Sequence, residues 1–275
     1  MDRSDACFEI AAQAADIVRA TRTHTASWKA RGDLVTPADE ASEAFIAAAI
    51  RNRFPDDRIV CEEGTEYGGT SGYLWLCDPL DGTLNFARDM APWAVSLAVL
   101  HGDEVIAGCV VEGANQDVFT ASRGDGARRN GQRISVSETA FLRESLVAFD
   151  CPYNMTARMT TTYHAVGELL QVSAALRCYG SCAVALCKIA CGEIDVYAVE
   201  HGKPWDFAAG ILLVEEAGGK VSRWCGRRYD PQRHLQILAT NGVLHDAALT
   251  ATKPHASEPK RADVETSIVA PQVSA

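Results

Sequence analysis

The segment Tyr73-Leu74-Trp75-Leu76-Cys77-Asp78-Pro79-Leu80-Asp81-Gly82-Thr83 joins an apolar run to a turn that carries two carboxylates. The run 73–77 has no polar interruption, which predicts a strand buried on both faces. Asp78 and Asp81 follow together at the end of that strand. Pro79 restricts the turn and leaves the Leu80 carbonyl available as a further oxygen ligand. The pattern predicts a hard-metal site on a rigid support.

The end of the segment predicts an anion-binding turn. Gly82 and Thr83 carry backbone N–H groups where a short helix is expected to begin, and such groups favour an anion. Carboxylates, a carbonyl and an anion-binding turn are what Mg²⁺ and a phosphate ester need together. Asp-Pro and Asp-Gly are also ordinary turn dipeptides, so a plain turn explains each of them singly. The interpretation therefore depends on acids elsewhere in the chain.

Two further acidic positions lie at the ends of predicted elements. Arg58–Cys61 predicts a short strand that ends at Glu62-Glu63-Gly64. Trp205 and Asp206 begin an amphipathic stretch that predicts a helix, with Gly218-Gly219 as its stop. Asp206 would lie in the first turn of that helix, where it is either a structural acid or a ligand.

Three separated motifs resemble the successive signatures of the inositol monophosphatase family. The motifs are Glu62-Glu63, then Asp78-Pro79-Leu80-Asp81-Gly82-Thr83 with Asn85-Phe86, then Trp205-Asp206 with Ala208-Ala209-Gly210. Agreement at three motifs in the right order is more specific than any one of them. The resemblance implies a layered αβαβα fold of the α+β class and Mg²⁺-dependent hydrolysis of small phosphate monoesters. It also implies roughly two or three Mg²⁺ ions per active site, as metal-assisted phosphoryl chemistry uses, and a homodimer.

The resemblance assigns roles to individual residues. The metal ligands that it implies are Glu62, Asp78, the Leu80 carbonyl, Asp81 and Asp206. The catalytic residues that it implies are Thr83, Asp39, Glu62 and Asp81, with Thr83 on the attacking water and Asp39 as the partner of Thr83. The phosphate and substrate contacts that it implies are Gly82, Thr83, Gly180, Ser181, Cys182 and Glu200. Lys29 resembles the lysine of the family's mobile loop.

Several of these residues have a second explanation. Thr36-Pro37-Ala38-Asp39 reads as a helix capping box by itself. Ser181 suits a helix N-cap, and Lys29 suits a solvated surface position. The register of Glu200 against the family is open by about one residue, which is enough to turn a side chain away from a pocket.

The substrate and the function class consequently stay open at this level. Inositol, cyclitol or sugar phosphates and histidinol phosphate are all possible esters, while Leu84-Asn85-Phe86 disfavours the nucleotide branch of the family. A non-catalytic regulatory or binding protein that keeps the fold is the alternative from another class.

Composition and charge are those of a globular enzyme. The chain has 275 residues, of which 47% are hydrophobic and 23% charged. The formal charge of −10 argues against binding nucleic acid or an anionic membrane through a basic face. No apolar run has transmembrane length, and the first residues do not resemble a secretory signal, so we expect a cytoplasmic protein. The ten cysteines lack zinc spacing and are expected to be reduced.

The pattern of elements predicts two halves. The predicted helices span about 7–22, 37–54, 157–171, 183–190 and 205–216, and the predicted strands span 58–61, 73–77, 93–101, 104–112, 117–121, 146–149, 174–178 and 194–199. Residues 1–144 form an N-terminal half with a largely antiparallel sheet and the main metal motif, and residues 145–252 form an α/β half that carries Asp206. The catalytic cleft is expected between the halves. Residues 253–275 are expected to be a disordered tail.

Overall fold

The computed structural model describes residues 2–21, 25–30, 33–150, 156–200, 202–232 and 236–256. The α-helices are α1 (Arg3–Ala20), α2 (Pro37–Arg53), α3 (Thr83–Phe86), α4 (Thr156–Val172), α5 (Cys182–Ala190), α6 (Pro204–Glu216) and α7 (His245–Thr252). Short 3-10 helices span Leu142–Glu144 and Lys253–His255. The strands are β1 (Ser27–Ala30), β2 (Asp33–Val35), β3 (Arg58–Cys61), β4 (Glu66–Tyr67), β5 (Tyr73–Asp81), β6 (Ala94–His101), β7 (Glu104–Glu112), β8 (Asp117–Ser122), β9 (Gly126–Arg129), β10 (Gln132–Arg133), β11 (Leu146–Phe149), β12 (Ala175–Arg177), β13 (Val196–Val199), β14 (Lys220–Ser222) and β15 (Ile237–Thr240).

The elements pack as five layers. Helices α1 and α2 cover one face of an eight-stranded sheet with the order β10-β9-β8-β7-β6-β5-β3-β4. Helices α5 and α6 fill the space between that sheet and a five-stranded sheet with the order β12-β11-β13-β15-β14. Helices α4 and α7 cover the outer face of the smaller sheet. The predicted αβαβα arrangement is confirmed.

Small apolar side chains explain the close packing of α1. Its buried face consists of Ala6, Cys7, Ile10, Ala11, Ala14, Ala15 and Val18. These residues recur at helical spacing, and their small size lets the helix axis approach β6 and β7 closely. Behind them, Trp75 of β5 is fully buried, and its indole N–H donates to the Asp57 carboxylate at 2.8 Å. The large sheet therefore presents a rigid edge to the residues that follow β5.

The strand β5 is longer than the apolar run predicts. It continues through Pro79 to Asp81 instead of ending at Cys77. Its pairing with β6 becomes irregular between Asp78 and Asp81, where three residue steps on β5 oppose two on β6. The extra residue makes a bulge, and Pro79, which has no N–H to donate, is tolerated there. The bulge changes the direction of the chain just where the two aspartates lie.

The pairing of β3 with β5 brings two acids to one edge of the large sheet. These strands are parallel, whereas the other pairs in this sheet are antiparallel. Cys61 is the register partner of Cys77, so Glu62 and Asp78 follow at adjacent strand ends. The expectation of a largely antiparallel sheet is correct, and the parallel pairing of β3 with β5 is the feature that positions the site.

The described end of the chain is more ordered than expected. Lys253–His255 form a 3-10 helix that packs against α4 and α7, so these residues are not part of a disordered tail. Residues 257–275 lie outside the described residues.

The division into halves at residue 144 stays a prediction, because α5 and α6 pack between the two sheets. Among the described residues, none of the helices combines the length and the hydropathy that a bilayer crossing requires. The nine described cysteines are thiols that form no disulfide with one another, and Cys151 lies outside the described residues.

Candidate active site

Glu62 and Asp78 form the first part of the site. The Glu62 N–H donates to the Cys77 carbonyl at 3.1 Å, which ties the end of β3 to β5. The two carboxyls lie within hydrogen-bonding reach of each other, and Asp78 is only 1% exposed. Burial raises the pKa of both groups well above the usual range, and the negative charges of the neighbouring acids raise the pKa of each further. The two carboxyls can share a proton or a cation, but two buried carboxylates without either would destabilise the folded protein.

Asp81 and Asp206 reach the same place from other elements. Asp81 Oδ2 accepts from Ser181 Oγ at 2.6 Å and from the Ala183 N–H at 2.7 Å, and burial raises the pKa of Asp81 to about 6 despite these bonds. Asp206 lies at the third position of α6, where its Oδ2 accepts from the Lys203 N–H at 2.6 Å. Burial and the charge of Asp81 raise the pKa of Asp206 to about 7. Asp206 is thus a helix-capping acid that also faces the other carboxylates.

Glu62, Asp78, Asp81 and Asp206 are called the acidic cluster below. The charges of the other three members all raise the pKa of Asp78. The charge of Asp206 also raises the pKa of Glu62, and that of Asp81 raises the pKa of Asp206, so the four predicted ligands come together from three parts of the chain. Within the described ranges, no three Asp, Glu, His or Cys side chains already have the spacing of a closed metal cage. The donors are hard oxygens with excess negative charge, which is the set that Mg²⁺ prefers. The cluster fits a cation by its chemistry, and ligand spacing would have to adjust on binding.

A hydroxyl and a carboxylate lie beside the cluster. Thr83 Oγ1 is 3.0 Å from Asp39 Oδ1 and 2.8 Å from the Leu80 carbonyl, so two acceptors compete for one proton. Asp39 Oδ2 accepts from the Thr36 N–H at 2.8 Å and from the Thr36 hydroxyl at 2.5 Å. The capping box at the start of α2 is confirmed, and Asp39 contacts Thr83 as well. Burial raises the pKa of Asp39, against the hydrogen bonds from Thr36.

Gly82 turns the chain into α3. Its φ of +85° lies in the left-handed region, and an added Cβ would be 3.0 Å from the Pro92 carbonyl oxygen and 3.2 Å from that of Gly180. Glycine suits this conformation, and any other residue would press on both carbonyls as well as adopt an unfavourable φ. The Phe86 N–H donates to the Gly82 carbonyl, so the N–H groups of Gly82 and Thr83 lie at the helix start, outside its bonding pattern.

Lys29 lies beside the cluster on the β1–β2 hairpin. Its Nζ is 2.9 Å from both carboxylate oxygens of Glu63 and 3.1 Å from Asp33. Burial opposes its charge, but the hydrogen bond with Glu63 and the charges of Glu62 and Glu63 raise its pKa above the usual value. Lys29 is therefore an ion-paired residue rather than a fully solvated one.

The predicted substrate contacts lie at the carboxyl ends of β11, β12 and β13. The Gly180 N–H donates to Asp150 Oδ1 at 2.7 Å, and Ser181 is the N-cap of α5 while its hydroxyl donates to Asp81. Cys182 is half-buried, and burial raises the pKa of its thiol well above the usual range. Glu200 is buried, and its Oε2 accepts from the hydroxyl of Thr162 on α4 at 3.2 Å.

Sequence reasoning missed three polar residues that support the site. Ser42 Oγ donates to the Pro79 carbonyl at 2.9 Å, and the Glu43 carboxylate accepts from the N–H groups of Glu63 and Thr65. With Asp39 these residues form a polar set on the buried face of α2, a departure from the apolar stripe that would have identified them. Asp150 directly follows the predicted strand Leu146–Phe149, the position where ligand-facing residues of parallel sheets occur.

Comparison with known proteins identifies the family of this chain. The sequence profile of the inositol monophosphatase family matches residues 3–257. The chain is 38% identical over 249 residues to "Phosphatase IMPL1, chloroplastic" of Arabidopsis thaliana, covering 88% of this chain and 67% of that protein. It is 40% identical over 202 residues to "Nus factor SuhB" of Escherichia coli K12, covering 73% and 76%.

A solved structure agrees with the sequence comparisons. The inositol monophosphatase from Anabaena (Nostoc) sp. PCC 7120 superposes with a TM-score of 0.81 at 34% identity, covering 90% of this chain and 94% of that one. The family profile, which matches residues 3–257, spans the strands and the helix that carry the acidic cluster. The chain belongs to the inositol monophosphatase family, and so to a family of phosphatases.

Proposed function

We propose that this phosphatase hydrolyses a small phosphate monoester with Mg²⁺ held by the acidic cluster and the Leu80 carbonyl. The observation that carries the proposal is the meeting of four carboxylates from three parts of the chain next to a Thr83–Asp39 hydrogen bond. Burying these acids together opposes folding unless protons or cations neutralise them. A site that collects cations is the simplest explanation for that arrangement.

The charge of the substrate explains why cations are needed. A phosphate monoester dianion repels an attacking hydroxide, and its hydrolysis spreads negative charge over the attacking, equatorial and leaving oxygens. Bound Mg²⁺ supplies charge neutralisation and a more acidic water. The side chains of the cluster would hold the Mg²⁺ ions in place and would not themselves act as nucleophiles.

In this proposal the Thr83 hydroxyl accepts a hydrogen bond from the attacking water, and Asp39 orients that hydroxyl. Because the Thr83 hydroxyl can donate to Asp39 Oδ1, its oxygen lone pairs are available to accept from the attacking water. Asp39 is fully buried at the start of α2, and both of its carboxylate oxygens already have donors. Such a fixed carboxylate keeps the hydroxyl in one orientation. The N–H groups of Gly82 and Thr83 are proposed to bind the phosphate oxygens.

The proposed substrate is a small phosphorylated alcohol of the inositol, cyclitol or sugar class. Its alcohol part would lie against the carboxyl ends of β11, β12 and β13, near Ser181 and Cys182. Glu200 is a less favourable contact than the sequence alone suggested, since it is buried against Thr162. Histidinol phosphate is the alternative ester in the same fold.

A regulatory role is a second candidate because relatives at 40% identity are named Nus factor SuhB. Catalysis and regulation are separable, since a variant without activity would keep a regulatory surface. We also propose a homodimer in the cytoplasm, on the basis of family membership, of the net negative charge, and of described helices that are too short or too polar to cross a membrane.

A kinetic screen tests the proposal. Phosphate release is measured for an aryl phosphate and for inositol, sugar, histidinol and nucleotide phosphates, each with Mg²⁺ and with a chelator. We expect Mg²⁺-dependent release and a preference in kcat/KM for one polyol ester. A folded sample that releases no phosphate from any ester with any divalent metal would instead favour the regulatory role.

A further inference from the structure

Asp150 is a buried carboxylate outside the acidic cluster that holds two separate elements. It directly follows β11 and is 7% exposed. Its Oδ1 accepts from the Gly180 N–H at 2.7 Å and from the Cys178 thiol at 3.4 Å, and its Oδ2 accepts from the Tyr197 hydroxyl at 2.9 Å. Three donors of this kind suit a charged acceptor and are stronger than neutral hydrogen bonds. The carboxylate thereby fixes the chain after β12 to the middle strand β13.

The segment that Asp150 holds contacts the α3 side of the site. Gly180 has a φ of +67°, and an added Cβ there would be 3.2 Å from the side-chain amide of Asn85. The Asn85 amide donates to the Tyr179 carbonyl at 2.8 Å and to the Pro92 carbonyl at 2.7 Å. Asn85 lies in α3, two residues after Thr83. Displacement of Tyr179 and Gly180 would therefore disturb the helix that begins at the proposed phosphate turn.

The same segment also contacts the acidic cluster. Ser181 follows Gly180 directly, and its hydroxyl donates to Asp81 Oδ2 at 2.6 Å. The Ala183 N–H donates to the same oxygen at 2.7 Å. Both donors contact Oδ2, and the Cys182 N–H also interacts with the Asp81 carboxylate. The orientation of Asp81 thus depends on where the turn 179–181 lies.

We propose that Asp150 is a positioning residue for the active site: its carboxylate fixes the turn 179–181, and this turn orients Asp81 and Asn85. The proposal deepens the proposed function and rests on it for its consequences in catalysis. One further result is that the Gly180 N–H, a predicted substrate contact, belongs to Asp150 instead. The described partners of the Asp150 carboxylate are protein groups, so its contact with the site runs through the turn. Its negative charge also raises the pKa of Asp81, and Asp195→Asn and Asp150→Asn control for the loss of charge.

Asp150→Ala tests the proposal, with Asp195→Asn as the matched control. Asp195 is also buried, and it accepts from the Leu146 N–H at 2.7 Å and from the Ser137 hydroxyl. Asp195 precedes β13, whereas Asp150 follows the neighbouring parallel strand β11. The two acids therefore lie at opposite ends of these strands. Both variants remove a buried negative charge from the same half of the chain. Only the Asp150 variant removes the acceptor of the turn 179–181.

Three measurements are made on the full chain. They are the Mg²⁺ concentration at the midpoint of thermal stabilisation, kcat and KM for an aryl phosphate, and hydrogen exchange of peptides spanning 178–185 and 81–86. We expect Asp150→Ala to raise the Mg²⁺ concentration at the midpoint, because Mg²⁺ binds more weakly. The same variant should lower kcat by roughly 10- to 100-fold, as loss of a contact that supports a metal ligand does elsewhere. Exchange should become faster in both peptides, and Asp195→Asn should leave all three measurements near the wild-type values.

Asp150→Asn supplies the conservative rescue. Its remaining carbonyl oxygen can still accept from the Gly180 N–H, so it should recover most of the Mg²⁺ affinity and the slow exchange. If Asp150→Ala does not fold, Tyr197→Phe takes its place, because it removes one of the donors that orient the carboxylate and should speed exchange in 178–185.

Two results would overturn the proposal. The first is that Asp150→Ala and Asp195→Asn have the same Mg²⁺ concentration at the midpoint and the same rate of hydrogen exchange in the peptide 81–86. The other, in the case where Asp150→Ala does not fold, is a Tyr197→Phe protein with wild-type exchange in 178–185. A wild-type protein that is inactive on every ester would refute the hydrolysis, while the exchange comparison would still decide the link from Asp150 to Asp81.

Discussion

Thr83 Oγ1 lies 3.0 Å from Asp39 Oδ1, so the first turn of α2 meets the chain that leaves β5. The same carboxylate caps α2 through Thr36, which fixes its position independently of Thr83. A hydroxyl held by a fixed acceptor is suited to orient a water molecule. The hydrogen bond therefore has consequences that can be measured separately from the folding of α2.

Replacement of Thr83 should separate catalysis from metal binding. We expect Thr83→Ala to lower kcat by about 10²- to 10⁴-fold, the usual contribution of a positioned proton acceptor. The Mg²⁺-induced rise in melting temperature should persist, because the acidic cluster is intact. Thr83→Ser keeps the hydroxyl and is the matched control, with an expected kcat near the wild-type value. Equal losses in both variants would contradict the assignment of the hydroxyl.

Gly82→Ala should damage the site through contact rather than through backbone strain alone. A side chain at φ +85° costs about 1–2 kcal/mol, and the new Cβ would also press on the carbonyls of Pro92 and Gly180. Gly124→Ala is the control, since Gly124 has a φ of +82° and nothing within 4 Å of an added Cβ. Denaturant unfolding and kcat are measured for both variants. A larger stability loss in Gly82→Ala than in Gly124→Ala, with activity lost only in Gly82→Ala, is the expected result, and equal activity would contradict it.

The buried His245 should make stability depend on pH. Ser222 Oγ donates to the Arg223 carbonyl and lies 2.9 Å from His245 Nε2, while Thr240 Oγ1 lies 2.9 Å from Nδ1 and accepts from the Gly242 N–H. This arrangement assigns the proton to Nε2 of a neutral ring. Burial, with a contribution from the charge of Lys220, lowers the pKa of His245 to about 4.

The stabilising contribution of neutral His245 is fully present above the unfolded-state pKa of about 6.5 and is lost as the pH falls toward 4. The loss should approach about 3 kcal/mol in unfolding free energy. His245→Gln should flatten the curve between pH 6.5 and pH 4 relative to the wild type, as measured by urea unfolding. The acidic cluster titrates in both proteins, so the difference isolates the histidine. Parallel curves would contradict the prediction.

Much of the fold follows from local patterns. The helical and strand periodicities placed α1, α2, α5, α6 and the strands β6 to β8 within a few residues of their observed bounds. The dipeptide Asn130-Gly131 is a local hairpin signal of the same kind, and both residues have the positive φ that a tight hairpin requires. These elements depend on interactions between residues close in the chain, which a sequence displays directly.

The parts that depend on distant contacts were not predictable. The bulge that extends β5 to Asp81 requires pairing with β6, and the parallel pairing of β3 with β5 requires the whole sheet order. The positions of Gly180 and Glu200 depend on Asp150 and Thr162, which lie 30 and 38 residues away in the chain. A single sequence names the acids of the site but not the hydrogen bonds that orient them.

The Mg²⁺ dependence of the melting temperature, compared between wild type and Asp78→Asn, tests the acidic cluster most directly. Asp246→Asn is the control, because it removes one exposed carboxylate far along the chain. At a Mg²⁺ concentration about 100-fold above Kd, we expect the wild type and the control to melt about 5 °C higher or more. Asp78→Asn should show little rise, and without Mg²⁺ it should be at least as stable as the wild type, since it loses a buried like charge. A wild-type protein that does not respond to Mg²⁺, or an equal rise in Asp78→Asn, would contradict the proposed site.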